Sequence, residues 1–293
     1  MIVRHLPLAD RGPILSMKAR AQRILRAGML MAAGALLAAT GGIAAAQTGT
    51  RPAADKSGTQ PESRVVLELF TSQGCSSCPA ADRLLGELSK DPSLIPLSLS
   101  VDYWDYIGWK DTLALGGHTA RQRGYSKIRG DREVYTPQMV VNGQVHVLGN
   151  DRAAIEQAVA AARRTPGALS VPVSLTASGD LLAVSIPEAR EGGAPPRGAD
   201  IWLCPISRTV PVEVERGENR GKIITYHNVV RGWVRLGEWT GEAGRWTMTR
   251  ADFLARAKGP ADAVTVLVQA RRQTAGGYPA PGPMLGAATA RLP

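Results

Sequence analysis

The sequence predicts an α/β domain, a mixed sheet with flanking helices, over residues 64–165, followed by an all-β, sandwich-like domain over residues 166–293. Three observations carry this reading. Residues 65–70 (VVLELF) are short, apolar and β-branched at their start, which suits a buried strand. Ala81, Leu84, Leu85 and Leu88 follow at i, i+3, i+4, i+7 spacing, the stripe of an amphipathic helix. Beyond Arg163 the helical period gives way to short alternating segments punctuated by Gly, Pro and Asp.

The chain has 293 residues, three cysteines and a formal net charge of +10. Much of that charge sits in a leader-like stretch. Lys18, Arg20, Arg23 and Arg26 form a basic region, residues 27–43 are apolar, and Ala44-Ala45-Ala46 offers a small-residue cleavage site. Met17-Lys18 reads as a better initiator than Met1. A single-pass anchor is the alternative, but the Gly- and Ala-rich core and its ending favour a cleaved signal peptide over residues 1–46. Its loss removes six basic residues and one acidic residue and leaves +5. No basic run with interleaved aromatics remains, so nucleic acid is not an expected partner. Residues 47–63, polar and Pro/Gly-rich, read as a flexible tether.

The first strand hands over to its helix through Thr71-Ser72-Gln73-Gly74 and then Cys75-Ser76-Ser77-Cys78-Pro79. The first turn of a helix carries unpaired N–H groups and a positive dipole. A Cys75 thiolate there would be stabilised and reactive, below the free-thiol pKa of about 8.5. Cys78 can close a disulfide with it, which an oxidising compartment would preserve. Glu68 interrupts the buried run, where a carboxylate must be paired or neutral.

Residues 93–101 read as a second strand, and residues 102–111 (DYWDYIGWKD) as an aromatic-dense loop forming a small core or a binding surface. A partly helical segment runs to Arg129, best formed over residues 118–128, with a solvated basic face. Residues 139–147 form a hairpin around Asn142-Gly143, a type I′ signal, with Pro137 at the strand start. Gly149-Asn150-Asp151 caps a helix with Ile155, Ala158, Val159 and Ala162 on its apolar face. Arg163 to Gly167 reads as a domain junction. Strands are expected at 171–176, 181–186, 201–206, 210–214, 223–226, 232–236 and 264–270, with a short helix at 249–257 capped by Thr249. Cys204 reads as an inert core residue, His227 as a core or turn residue, and Asp102 and Glu133 as solvated acids.

Strand, CxxC at a helix start, strand, helix, Thr-Pro, hairpin, helix: this order resembles the thioredoxin fold. The texts FTSQGCSSCPAAD, VDYWDYIGWKD and VYTPQMVVNG, and further on GENRGKIITYHNVV and GPMLGAA, resemble the exported thioredoxin-like proteins of domain-of-unknown-function family 1223. The resemblance implies that Thr136-Pro137 is a cis peptide beside the cysteines, with its backbone holding an extended partner strand. It also implies that an acid near Glu68 lies behind the disulfide and serves the resolving thiol. Two departures stand out. Ser76-Ser77 replaces the Gly-Pro of thioredoxin, and Glu68 is one residue further from Cys75 than in that family, which could turn it to the other face.

One CxxC without a second does not make a zinc site. A Cys–His hydrolase would need Cys75 beside His118, His146 or His227, and Cys78 makes a disulfide more natural. The sequence thus leads to a periplasmic or secreted thiol–disulfide oxidoreductase without a cofactor, metal or membrane anchor after cleavage. Its partners would be protein thiols or disulfides and a redox partner protein. Cys75 and Cys78 would exchange, Glu68 would move the proton, and Thr136 and Pro137 would bind substrate. A secreted binding protein with a structural disulfide on the same scaffold is the rival reading.

Overall fold

The computed structural model describes residues 64–293; the expected signal peptide (1–46) and tether (47–63) lie outside the described residues. Strand β1 (Val65–Thr71) is buried along all seven residues, so both of its faces meet other layers. It runs parallel to β2 (Leu94–Ser100) and antiparallel to β3 (Gln138–Val141). Parallel neighbours need a crossover, here helix α1 (Cys78–Leu88), which turns Ala81, Leu84, Leu85 and Leu88 inward. Helix α2 (Gly116–Arg129) follows β2 after a single 3-10 turn at Asp105–Ile107. β3 returns as β4 (Val145–Leu148) through Asn142-Gly143, both at positive φ (54° and 69°), as the type I′ signal requires. Asp151 then caps α3 (Arg152–Arg164) by accepting from the Ala154 N–H.

Alternation along β1 sorts its side chains between the helices. Glu68 and Phe70 meet Tyr125 of α2, whereas Thr71, three residues on from Glu68, meets Asp82 of α1.

The strands expected to form a separate sandwich divide between two sheets. β7 (Ala199–Glu213), β8 (Ile223–Val230), β11 (Ala263–Gln273) and β12 (Pro279–Arg291) continue the first sheet, in the order β12-β11-β7-β8-β2-β1-β3-β4. β9 (Val234–Trp239) also pairs with β7 and makes nine strands. The join is a parallel contact of β2 with β8 at Ser98 and Val229. Only β5 (Ser174–Ser178), β6 (Leu181–Ile186) and β10 (Gly244–Thr249) form a second sheet. Leu182, Val184 and Ile186 of β6 share a core with Ile201, Leu203, Val264, Val266 and Val268 of the large sheet. The expected boundary near residue 165 is therefore spanned by one mixed sheet. Alternation tells which face of a strand is buried, but not which sheet it joins.

Local differences have similar causes. The segments expected at 201–206 and 210–214 are one strand, β7. β12 has no counterpart among the expected strands: Pro279, Pro281 and Pro283 punctuate it, and it lies at the sheet edge, where proline is tolerated. The short helix α4 (Arg250–Leu254) has its expected cap, Thr249 accepting from the Asp252 N–H. Helix α1 packs on β8 closely enough that a Cβ on Gly86 would stand 2.4 Å from the His227 ring. Among the described residues no helix is long and apolar enough to cross a membrane.

Candidate functional site

The end of β1 feeds a tight loop. Cys75 N–H donates to the Ser72 carbonyl (3.2 Å), and Gly74 N–H donates to Ser72 Oγ (3.1 Å). Cys75 and Cys78 form a disulfide with Cα atoms 5.4 Å apart. Ser76 and Ser77 between them are exposed, while both cysteines are buried, Cys75 at 1 % exposure.

Two other segments of the chain hold this loop. Gln73 is buried, and its Oε1 accepts from the Trp109 indole N–H (2.8 Å) and the Thr112 backbone (3.1 Å). The aromatic loop reaches the same place. Ile107 and the Trp104 side chain pack so near Gly74 that a Cβ there would stand 2.9 Å from Ile107 Cδ1. Trp104 also donates its indole N–H to Thr136 Oγ1 (2.8 Å), tying the Thr136-Pro137 segment to the disulfide loop. The Thr136-Pro137 peptide is cis. Tyr103 and Trp104 pack on the main core, as a small core would, while Tyr106 stacks on Trp104 and is 81 % exposed. The second segment comes from far along the chain. Buried Asn219 donates from Nδ2 to the carbonyls of Gln73 and Cys75 (2.9 Å each), and Glu218 accepts from the Ser76 N–H (3.2 Å).

Glu68 is not brought to the disulfide loop. It lies on the α2 side of β1, paired with Arg121 (2.6 Å) and accepting from the Tyr125 hydroxyl (2.5 Å). Three residues before Thr71, it occupies the opposite face of β1, so the expectation that it stands behind the disulfide is corrected. The α1 face carries a different acid. Asp82 is four residues after Cys78 on the helix, so their side chains are neighbours, with Cβ atoms about 6 Å apart. Thr71 Oγ1 donates to Asp82 Oδ2 (3.1 Å); Oδ1 is buried without a hydrogen-bond partner among the described residues.

Burial pushes the Asp82 carboxyl up to about 8, and the nearby charge of Asp111 adds to this. Asp111 is raised to about 6, again mainly by burial, although it accepts from the Gln73 and Leu113 N–H groups at 2.8 Å. Burial raises the Tyr226 phenol most, and both carboxylates push it further; its hydroxyl has no partner among the described residues. Asp82 therefore carries a proton at neutral pH and can give or accept one close to it. It interrupts the apolar stripe one helical turn from a cysteine, a signal present in the sequence. Nothing local in Gly217-Glu218-Asn219-Arg220 announces its approach to Cys75.

The remaining candidates fall elsewhere. His118 is buried, with Nδ1 donating to the Ser100 carbonyl (2.9 Å), and burial lowers it to about 4, so it is neutral. His146 pairs with Asp131 and Tyr135. His227 lies on α1 at Gly86. With Cys75 in a disulfide, the structure assembles no Cys–His dyad among the described residues. Cys204 is a buried free thiol, raised well above its ordinary range by burial. Asp102, expected in solvent, is half-buried and accepts from Thr119 Oγ1 (2.5 Å). Among the described residues no cluster of three or more His, Cys, Asp or Glu is placed to hold a metal ion.

The family described as Protein of unknown function (DUF1223) matches residues 66–269. The chain belongs to this family. The match to DUF1223 takes in both the CxxC loop and Asn219, on either side of the boundary expected near residue 165. The crystal structure of protein AGR_C_4864 from Agrobacterium tumefaciens is similar, at 34 % identity and a TM-score of 0.65 over 78 % of this chain and 93 % of that one. HBP35 of Porphyromonas gingivalis aligns at 14 % identity and a TM-score of 0.49, over 78 % and 75 %. No curated protein matches this DUF1223 chain.

Proposed function

We propose that this protein is an exported thiol–disulfide exchange protein whose redox pair is Cys75–Cys78, carried on a thioredoxin-like arrangement of β1–α1–β2–α2–β3–β4–α3. The single observation that carries the reading is a disulfide at the start of α1 with a protonated, half-unpartnered carboxyl, Asp82, one turn below it. The strand order β2-β1-β3-β4 and the Trp104 link from Thr136 to the loop support it.

In the reducing direction for the partner, the ionised form of Asp82, populated as pH approaches 8, takes the Cys78 thiol proton, and the thiolate then attacks Cys75 Sγ of a mixed disulfide. The bond to the partner breaks, and the partner leaves as a thiol or thiolate. In the oxidising direction a partner thiolate attacks Cys75 Sγ. The Cys75–Cys78 bond breaks, and Asp82 protonates the leaving Cys78 sulfur. One pair of electrons and two protons pass overall between the partner and the pair. Thr136-Pro137 would hold the extended partner strand beside Cys75.

The burial of both cysteines favours a second reading, a binding protein with a structural disulfide. One experiment separates them. Purified protein is equilibrated in glutathione buffers and the Cys75/Cys78 dithiol is counted by alkylation. A redox protein gives a midpoint in the window of about −120 to −270 mV and turns over a disulfide substrate. A bond that stays oxidised to below about −300 mV, with no turnover, assigns the disulfide to structure.

A further inference from the structure

The large sheet carries a cavity that shares no residue with the disulfide loop. It measures about 890 Å³ and is bounded by β7, β11, β12, the segment leading into β9, and the start of α2. That volume suits one small molecule. Its apolar surface includes Trp202 and Trp233, whose rings meet edge to face at 6.2 Å. Arg121 also lines it, with its guanidinium 4.2 Å from the Trp233 ring centroid.

The charges around the cavity are not balanced. Arg235 and Arg271 are held by Asp200 (2.8 Å each), and Arg271 also by Glu238 (2.6 Å). These pairs fix the wall and leave little for a ligand. Two further lining arginines differ. Arg272 makes no ion pair among the described residues, and Arg197 donates only to Gln273 Oε1 (2.9 Å). At the inner end, Arg121 has a side chain only 9 % exposed. Its Nε and Nη2 are taken by Glu68 and Tyr125, but Nη1 makes no hydrogen bond among the described residues. The lining thus combines indole surface, a buried guanidinium with an unused N–H edge, and two unneutralised guanidiniums.

We propose that this cavity binds a small aromatic anion, a flat ring system bearing a carboxylate or sulfonate. The ring would rest on Trp202 and Trp233, and the anionic group would be met by arginine. A cation would be repelled by Arg197 and Arg272. A neutral apolar body would fill the volume but leave the guanidinium N–H groups unengaged, so charge should decide the affinity. The proposal is independent of whether the disulfide cycles.

The test is calorimetric titration of the oxidised full chain at low salt with 2-naphthoate and with 2-naphthol, the same ring without the carboxylate. The expected result is one saturable site for 2-naphthoate and binding of 2-naphthol about tenfold or more weaker. The exposed double variant Arg197→Glu/Arg272→Glu should lose about tenfold for 2-naphthoate and little for 2-naphthol. Ala280→Trp, on an exposed-edge strand bordering the cavity, should abolish both by filling it. Absence of 2-naphthoate binding, equal affinity for the two probes, or unchanged 2-naphthoate binding in both variants would each overturn the proposal.

Discussion

Asp82→Asn is the perturbation with the most to say about the disulfide site. In the folded protein this carboxyl is 1 % exposed and titrates near 8, against 3.8 for an ordinary aspartate. Below pH 3.8 both folded and unfolded chains hold the proton, and the site is neutral for stability. Between 3.8 and about 8 the folded chain keeps a proton that the unfolded chain has released. The unfolded state then binds fewer protons, so stability falls as pH rises, by about 1.4 kcal/mol per unit. At pH 7 the accumulated loss is on the order of 4 kcal/mol. Asparagine has no proton to release, so its curve lacks this slope. It also places an amide N–H near the orphan position of Oδ1, which costs about 1–3 kcal/mol if that group stays unpaired. The net expectation at pH 7 is a variant more stable than wild type by about 1–3 kcal/mol, and nearly equal or less stable at pH 4. Asp111, raised to about 6, contributes to both proteins and largely cancels in the difference. Urea unfolding of the oxidised proteins at several pH values between 4 and 8 measures it. Parallel curves for the two proteins would refute the assignment of a protonated Asp82. The same variant should slow reduction of a model disulfide about a hundredfold if Asp82 serves Cys78. An unaltered rate would leave Asp82 a purely structural acid.

Glu68→Gln strands the Arg121 charge in the interior and should cost about 3–5 kcal/mol in chemical unfolding, while the alkylation rate of reduced Cys75 stays unchanged. A change in that rate without loss of stability would restore Glu68 to the chemistry. Asn219→Ala removes two donors from the Gln73 and Cys75 carbonyls; stability should fall by about 1–3 kcal/mol, and dithiothreitol should reduce the disulfide several-fold faster. Equal reduction rates would mean that this segment does not limit access. Glu218→Gln removes an exposed carboxylate from the Ser76 N–H at the start of α1, so iodoacetamide should alkylate reduced Cys75 about two- to threefold faster at pH 7, and less so in high salt.

Much of the first half of the molecule was legible in the chain because its signals are local. The apolar run of β1, the i, i+3, i+4 stripe of α1, the Asn142-Gly143 turn and the caps at Asp151 and Thr249 each depend on a few adjacent residues. In the C-terminal half most of the expected strands form, but they divide between two sheets, the larger of which also carries β1–β4. Its alternation is real, yet the partner of an edge is not encoded within the strand. For the site, the pairing of Cys75 with Cys78 needed only their spacing and the helix start. Glu68 illustrates the limit: its burial could be inferred, but one residue of spacing decides which face of β1 it occupies.

The sequence by itself determined the elements that form by short-range forces, the place of the CxxC where a strand becomes a helix, and membership of a family whose match runs from Val66 to Gln269. Tertiary structure alone decided the rest. It joined β8 to β2, so that one sheet carries both halves of the chain. It brought Asn219 onto the carbonyls of Gln73 and Cys75, 146 and 144 residues away. It gave Glu68 to Arg121 and left Asp82 protonated below the disulfide. The physical reason is that desolvation and charge pairing depend on which groups meet in three dimensions, and the unfolded chain holds those groups apart in water, where neither effect exists.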